Sequence, residues 1–179
     1  MNLNQLTKGM ATYLTEHGDN RFYPCPLGRG HDPRGYNGAE WLASLYWTGI
    51  APDPGLFLCP STDDTNDRGR DIGTEKIAAG FGSQTVSYAA MHYRSTTDAD
   101  GSDTRGEAIR DDFPPNAPMA SDDTQGSINH GVEDMEGMCV LFFDSHVEFK
   151  SADDIDIERA VGDRGRRGDP RPLLWQLRN

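Results

Sequence analysis

One stretch near the C-terminus decides the fold: Met138-Cys139-Val140-Leu141-Phe142-Phe143, then Asp144-Ser145, then His146-Val147-Glu148-Phe149-Lys150. The first run is continuously apolar and the second alternates, which is typical of two strands joined by a two-residue polar turn. The first strand is apolar on both faces and is predicted to be central and covered by a helix. The second is predicted to be half-exposed, with Val147 and Phe149 on its apolar face.

A helix at the N-terminus would cover this sheet. Residues 2–17 carry apolar side chains at three- and four-residue steps, and Gly18 is predicted to end the helix. A shorter helix is predicted at 39–47, a strand at 84–94 and a further helix at 153–161. These elements predict one α+β domain, an N-terminal helix on a small antiparallel sheet with long loops.

Four segments are predicted along the domain. Residues 1–17 form the helix, 18–83 a helix and loop region, 84–150 the sheet with a long acidic loop, and 151–179 a short helix and tail. A chain of 179 residues with 20 Gly and 11 Pro fits one modest core under extensive loops.

The charge pattern argues against nucleic acid as a partner. The chain holds 29 Asp and Glu against 17 Lys and Arg, a net charge of −12, which repels phosphate backbones. The chain also has no apolar run long enough for a membrane helix. The excess of acid suits cation binding and solubility outside the cell.

Two groups of residues are candidates for a metal. Asp98, Asp100 and Asp103, with Glu107, resemble a loose calcium loop, and the alternative is a solvated acidic loop. His130, Asp144 and His146, with Asp122 and Asp123 upstream, can supply a transition-metal site. The alternative there is that Asp144 caps the turn through backbone amides and His130 hydrogen-bonds the same turn.

The cysteines and aromatic residues leave further alternatives open. Cys25 and Cys59 share a Cys-Pro context and are predicted either to form a disulfide in an oxidising compartment or to remain thiols. Cys139 lies in the apolar strand and is predicted to be core. Trp41, Tyr46 and Trp47 either pack in the core or offer an aromatic platform for a glycan.

Three segments resemble a known family. Asn129-His130-Gly131 followed by residues 137–149 is similar to the C-terminal signature of pseudopilin-like proteins of planctomycete-type bacteria, which reads Asn-His-Gly, an apolar strand and Asp-Gly-His-Val. Residues 2–6 with Tyr23-Pro24, and Cys59-Pro60-Ser61, resemble the family's N-terminal and mid-chain landmarks. Ser145 stands where the family has a turn glycine.

The resemblance implies a type IV pilin-like fold and a role without catalysis. The chain would be a subunit of a type II secretion pseudopilus or type IV pilus-like filament, contacting other pilin-like subunits and the secretion or pilus machinery. Its head would face the periplasm or the cell exterior, anchored in the inner membrane before assembly through a preceding apolar segment. The predicted assembly face consists of Leu3, Leu6, Met10, Tyr13 and Leu14. The competing hypothesis is a secreted metal-dependent enzyme, or a metal- or glycan-binding protein, built on His130, Asp144 and His146.

Overall fold

The computed structural model describes residues 2–31, 38–66, 72, 85–91, 108–122, 137–151 and 177–178. These residues form α1 (Asn2–Glu16), α2 (Gly38–Trp47), a 3-10 turn (Pro54–Phe57), β1 (Tyr88–Met91), β2 (Pro118–Asp122), β3 (Gly137–Phe142), β4 (Val147–Ser151) and β5 (Leu177–Arg178). An N-terminal helix and an antiparallel sheet are both present, so the predicted α+β class is confirmed. The helix predicted at 153–161 lies outside the described residues.

Helix α1 buries its apolar stripe within the molecule. Leu3, Leu6, Met10 and Tyr13 are almost fully buried, and they join one core with residues of α2, β1 and β3. Helix α1 ends at Glu16, within one residue of the predicted end before Gly18, and the left-handed φ values that follow belong to Asp19 and Asn20. Gly18 is required for another reason: a Cβ there would lie 2.1 Å from the carbonyl oxygen of Phe22.

Helix α2 packs beside α1 and covers β1. Trp41, Leu42 and Leu45 are fully buried, as the apolar spacing of this segment predicts. The two helices approach closely at Gly9, where a Cβ would lie 3.1 Å from Cδ1 of Leu45. Gly49, with φ of 79°, follows the last turn of α2. Two helices therefore lie side by side against the sheet.

The sheet has the strand order β4-β3-β2-β1-β5, with every neighbouring pair antiparallel. Strands β1 to β4 form a meander, and the two-residue β5 pairs with the outer edge of β1. The predicted hairpin is confirmed to within one residue at each strand. Of the strand predicted at 84–94, Tyr88–Met91 is strand and residues 85–87 are not, while residues 84 and 92–94 lie outside the described part of the chain. The sequence did not indicate β2 or β5.

Both faces of the inner strands are buried. Side chains alternate across a strand, so Tyr88, Asp122 and Cys139 share one face while Ala89 and Val140 point to the other. Of these, only Cys139 is more than slightly exposed. Strand β4 is half-exposed, as predicted.

The apolar face of β4 is more open than predicted, because Phe149 is 51% exposed. In the described part of the chain, no helix combines the length and apolar character needed to span a bilayer.

Candidate functional site

The β3–β4 turn carries the two described residues of the predicted metal site. The backbone N–H of Ser145 donates to the carbonyl of Phe142 (3.0 Å), and the N–H of Phe142 donates to the carbonyl of His146 (3.0 Å). The loop therefore contains Phe143, Asp144 and Ser145, so the predicted two-residue turn is wrong. Ser145 closes the loop with φ of 75°, a left-handed conformation that normally selects glycine.

Asp144 caps this turn. Its Oδ1 accepts the backbone N–H of His146 (3.1 Å) and also contacts Nδ1 of the same residue. The backbone hydrogen bond from His146 is the main cause that lowers the pKa of Asp144 below its ordinary value. The His146 ring stacks on Phe142, with centroids 4.3 Å apart. The capping role predicted for Asp144 is confirmed.

The other predicted metal ligands do not join this turn within the described residues. His130 and Asp123 lie outside the described part of the chain. Asp122 is buried, and its Oδ2 accepts the backbone N–H of Cys139 (2.7 Å), so this carboxylate braces β3. Across the described ranges, no three His, Cys, Asp or Glu residues are grouped to hold a metal. Asp98, Asp100, Asp103 and Glu107 also lie outside the described residues, and calcium there stays a prediction.

A buried polar row lies on the face of the sheet that α1 covers. Tyr88 and Asp122 are paired across β1 and β2, and the N–H of Cys139 reaches Asp122 from β3. The Tyr88 hydroxyl donates to the carbonyl of Leu58 (3.2 Å), beside Cys59. Burial raises the pKa of Cys139 to about 11 and also raises the pKa of Cys59. Both thiols are therefore protonated at neutral pH and are poor nucleophiles.

The predicted disulfide is not formed in the structure. Cys25 and Cys59 are both buried thiols that are not bonded to each other. Cys25 lies near Tyr13 of α1, whereas Cys59 lies near Asp122 and Asp64. The two similar Cys-Pro contexts thus belong to different parts of the core.

The aromatic cluster is core packing. Trp41 is fully buried and meets the edge of Tyr23, with centroids 6.3 Å apart. Tyr46 packs edge-on against Phe57, and Nε1 of Trp47 donates to the carbonyl of Ile72. A glycan platform built on Trp41 is ruled out by this burial.

An open cleft lies beside the first turn of α1, and the sequence did not indicate it. It encloses about 610 Å³ and is lined by Asp53, Pro54, Gly55, Leu58, Asp64, Thr65 and Asn66. Its carboxylates already accept hydrogen bonds from the chain. Asp53 accepts the N–H of Gly55 (2.9 Å), and Asp64 accepts the hydroxyls of Ser87 (2.5 Å) and Thr62 (2.9 Å). These bonds hold the loop in place.

The start of α1 is anchored at the rim of this cleft. Nδ2 of Asn2 donates to the carbonyl of Leu58 (2.8 Å) and to that of Gly55 (3.2 Å). The first helical turn is therefore fixed to residues 55–58, and Leu3 in the same turn already packs in the core.

The predicted assembly face has a different role. Leu3, Leu6, Met10 and Tyr13 are buried in the protein's own core, and Leu14 is half-buried against it. These side chains are occupied within one molecule, so they are not the surface that another subunit contacts. The outward face of α1 is polar, with Gln5, Lys8, Thr12 and Thr15 exposed.

Comparisons of the chain with protein-family models, with curated proteins and with solved structures gave no match. Its function must be inferred from its own residues.

Proposed function

We propose that this chain is the head of a non-catalytic filament subunit, of the type II secretion pseudopilus or type IV pilus-like kind. The observation that carries the proposal is the position of α1. The helix is already formed at Asn2, is anchored there to residues 55–58, and then lays its apolar stripe on α2 and β3. A rigid N-terminal helix clasped by an antiparallel meander is the arrangement that the sequence resemblance implies.

The described polar groups also suit a structural role. The carboxylate of Asp144 caps a turn, that of Asp122 braces β3, and burial keeps the thiols of Cys59 and Cys139 protonated. Each of these groups stabilises the fold through contacts within the chain. A filament subunit needs such a rigid head, with polar loops outside and a helix that links it to the assembly.

The proposal places the head in the periplasm or at the cell surface. Its partners would be other pilin-like subunits, contacted through an apolar helical segment preceding α1, together with the secretion or pilus machinery. In such a filament α1 would be the C-terminal part of one long N-terminal helix. The exposed polar face of α1 would then lie toward the N-terminal helices of neighbouring subunits.

The test is to supply such a segment. About 20 apolar residues, in continuous helix with Asn2 and behind a prepilin leader, would be expressed with the matching peptidase and assembly machinery. A Lys8→Cys variant places a thiol on the exposed face of α1 for bis-maleimide cross-linking between copies. The expected result is membrane-bound protein with ladders of cross-linked species.

Two matched controls separate assembly from simple crowding. The Lys8→Cys chain without the apolar segment should give no ladder. The same fusion with a flexible Gly-Ser linker before Asn2 should stay membrane-bound but give no ladder of cross-linked species. The linker breaks the continuous helix, so the membrane segment no longer fixes the position of the head. A rigid fusion that is membrane-bound, correctly processed and still monomeric would refute the proposal.

A further inference from the structure

Strand β4 lies at one edge of the sheet that the described residues form. In the antiparallel β3–β4 ladder, the N–H of Phe142 donates to the carbonyl of His146, so these two residues form a hydrogen-bonded pair. The bonded positions alternate, so Glu148 and Lys150 turn their backbone groups toward β3. Val147 and Phe149 consequently turn their N–H and C=O groups away from it. No described strand lies on that side of β4.

An apolar side chain stands at this edge. The ring of Phe149 leans over Gly137, where a Cβ would lie 2.0 Å from Cζ of the ring, yet the residue is 51% exposed. Edge strands that remain unpaired are commonly protected by Pro, by a bulge or by charged side chains. Strand β4 has no Pro or bulge, and its two charges, Glu148 and Lys150, have opposite sign.

We propose that β4 pairs antiparallel with β4 of a second copy of this chain, about a two-fold axis at Phe149. In that register Phe149 of each copy exchanges backbone hydrogen bonds with Phe149 of the other. Glu148 then lies opposite Lys150 of the second copy, and Lys150 lies opposite its Glu148. Strand β4 is thus complementary to a second β4 in three respects: the positions of its outward-facing backbone groups, the contact between the Phe149 rings and the pairing of opposite charges.

The existing ion pair fits this arrangement. Nζ of Lys150 lies 2.7 Å from Oε1 of Glu148 in the same chain, on the face opposite Phe149. Pairing of the two strands extends this single contact into a four-charge row across the axis. The row is partly exposed, so the dimer should weaken as salt concentration rises.

This pairing goes beyond the filament proposal and does not depend on it. A two-fold axis perpendicular to a continuous sheet reverses every direction in the sheet plane, so the two α1 helices would run in opposite senses. Subunits of a filament anchored in one membrane share one orientation. The β4 pairing therefore describes heads outside a filament, and a head paired in this way is held out of assembly.

The interface is small, which sets the expected affinity. Contacts that bury less than about 1,200 Å² in total are weak or transient. The experiment is sedimentation velocity on the chain from about 5 to about 500 μM, a range that brackets weak association. A monomer–dimer equilibrium within that range is expected.

Charge variants test the register. Glu148→Lys alone and Lys150→Glu alone each place like charges opposite one another, and each should weaken the dimer about tenfold or more. An equimolar mixture of the two variants restores opposite charges at every position. It should form a heterodimer about as tight as the wild-type dimer, detected by native mass spectrometry.

The remaining variants test the apolar contact. Phe149→Thr should weaken the dimer, while Leu27→Ser, at a residue outside β4 that is 54% exposed, should leave it unchanged. Urea unfolding of each variant checks that the head remains folded. A wild-type chain that is monomeric at every concentration, or two charge variants that fail to pair when mixed, would overturn the proposal. Dimerisation that ignores the β4 variants but responds to Leu27→Ser would overturn it as well.

Discussion

Replacing Ser145 with glycine should stabilise the protein. Ser145 holds φ of 75°, where the Cβ of an L-residue crowds the backbone, a cost of about 1–2 kcal/mol. Glycine removes this strain, but its greater freedom in the unfolded chain takes back roughly 0.5–1 kcal/mol. The bond from the Ser145 N–H to Phe142 is a backbone bond and is kept in the variant. The expected net gain for Ser145→Gly is about 0.5–1 kcal/mol.

Urea unfolding followed by circular dichroism measures this gain directly. The midpoint should move to higher urea with an unchanged slope, and the melting temperature should rise by about 1–4 °C for a chain of this size. The matched control is Ser145→Ala, which removes the hydroxyl but keeps the Cβ. Its stability should stay within about 0.5 kcal/mol of wild type.

Comparison of the two variants separates the effect of backbone conformation from that of the hydroxyl. A gain in Ser145→Gly with none in Ser145→Ala assigns the effect to backbone conformation. Equal gains in both would show that the hydroxyl, not φ, is unfavourable. A Ser145→Gly protein no more stable than wild type would refute the claim that the turn is strained.

Two further predictions follow from the same sheet. Gly137→Ala should destabilise the head by about 1–3 kcal/mol in urea unfolding, because the new Cβ would lie 2.0 Å from the Phe149 ring and 2.7 Å from the Lys150 carbonyl oxygen. An unchanged midpoint would show that β4 can shift without loss. Burial raises the pKa of Cys139 from 9.0 to about 11, so the stability it contributes is full below about pH 9 and is lost as pH rises toward about 11. Urea unfolding at several pH values should show this loss, with a smaller loss in Cys139→Ala; equal profiles would contradict it.

Sequence periodicity predicted the strands of the hairpin well but not the length of its loop. Phe143 continues the apolar run and reads as strand by composition. In the structure it lies in the turn, where its ring stacks on Phe113 (4.5 Å) and meets the edge of Tyr23 (5.5 Å). Those contacts come from residues distant in sequence. A local pattern therefore could not show that Phe143 packs inward while the backbone has already turned.

Strand β2 illustrates a different limit. Pro118, Ala120 and Asp122 are poor strand formers, and the segment does not alternate. It is a strand because β1 and β3 pair with it on both sides. Its one carboxylate is tolerated in the buried sheet because Asp122 accepts the N–H of Cys139. Tertiary pairing here overrides propensity.

For the β3–β4 turn, the sequence predicted which side chains meet but not what they do. Asp144 followed by His146 suggested either a ligand pair or a cap, and both readings place the two side chains together. Only geometry separates them: Oδ1 of Asp144 accepts the backbone N–H of His146, while the His146 ring lies flat on Phe142. The spacing in the sequence predicts that Asp144 and His146 lie together, but it does not predict the orientation of the His146 ring.

The apolar stripe of α1 carries the main consequence for function. Periodicity shows that a helix has an apolar face, but it does not show whether the covering surface belongs to the same molecule or to another. Here Leu6 and Met10 are covered by the protein's own core, and Gly9 lets Leu45 of α2 approach the helix backbone. Under the two proposals, contacts between copies come instead from the polar side of α1, from a preceding segment or from the edge of β4. Stability of the head and association of the heads consequently depend on different residues, which is why substitutions at Lys8 and Glu148 can test association in a folded protein.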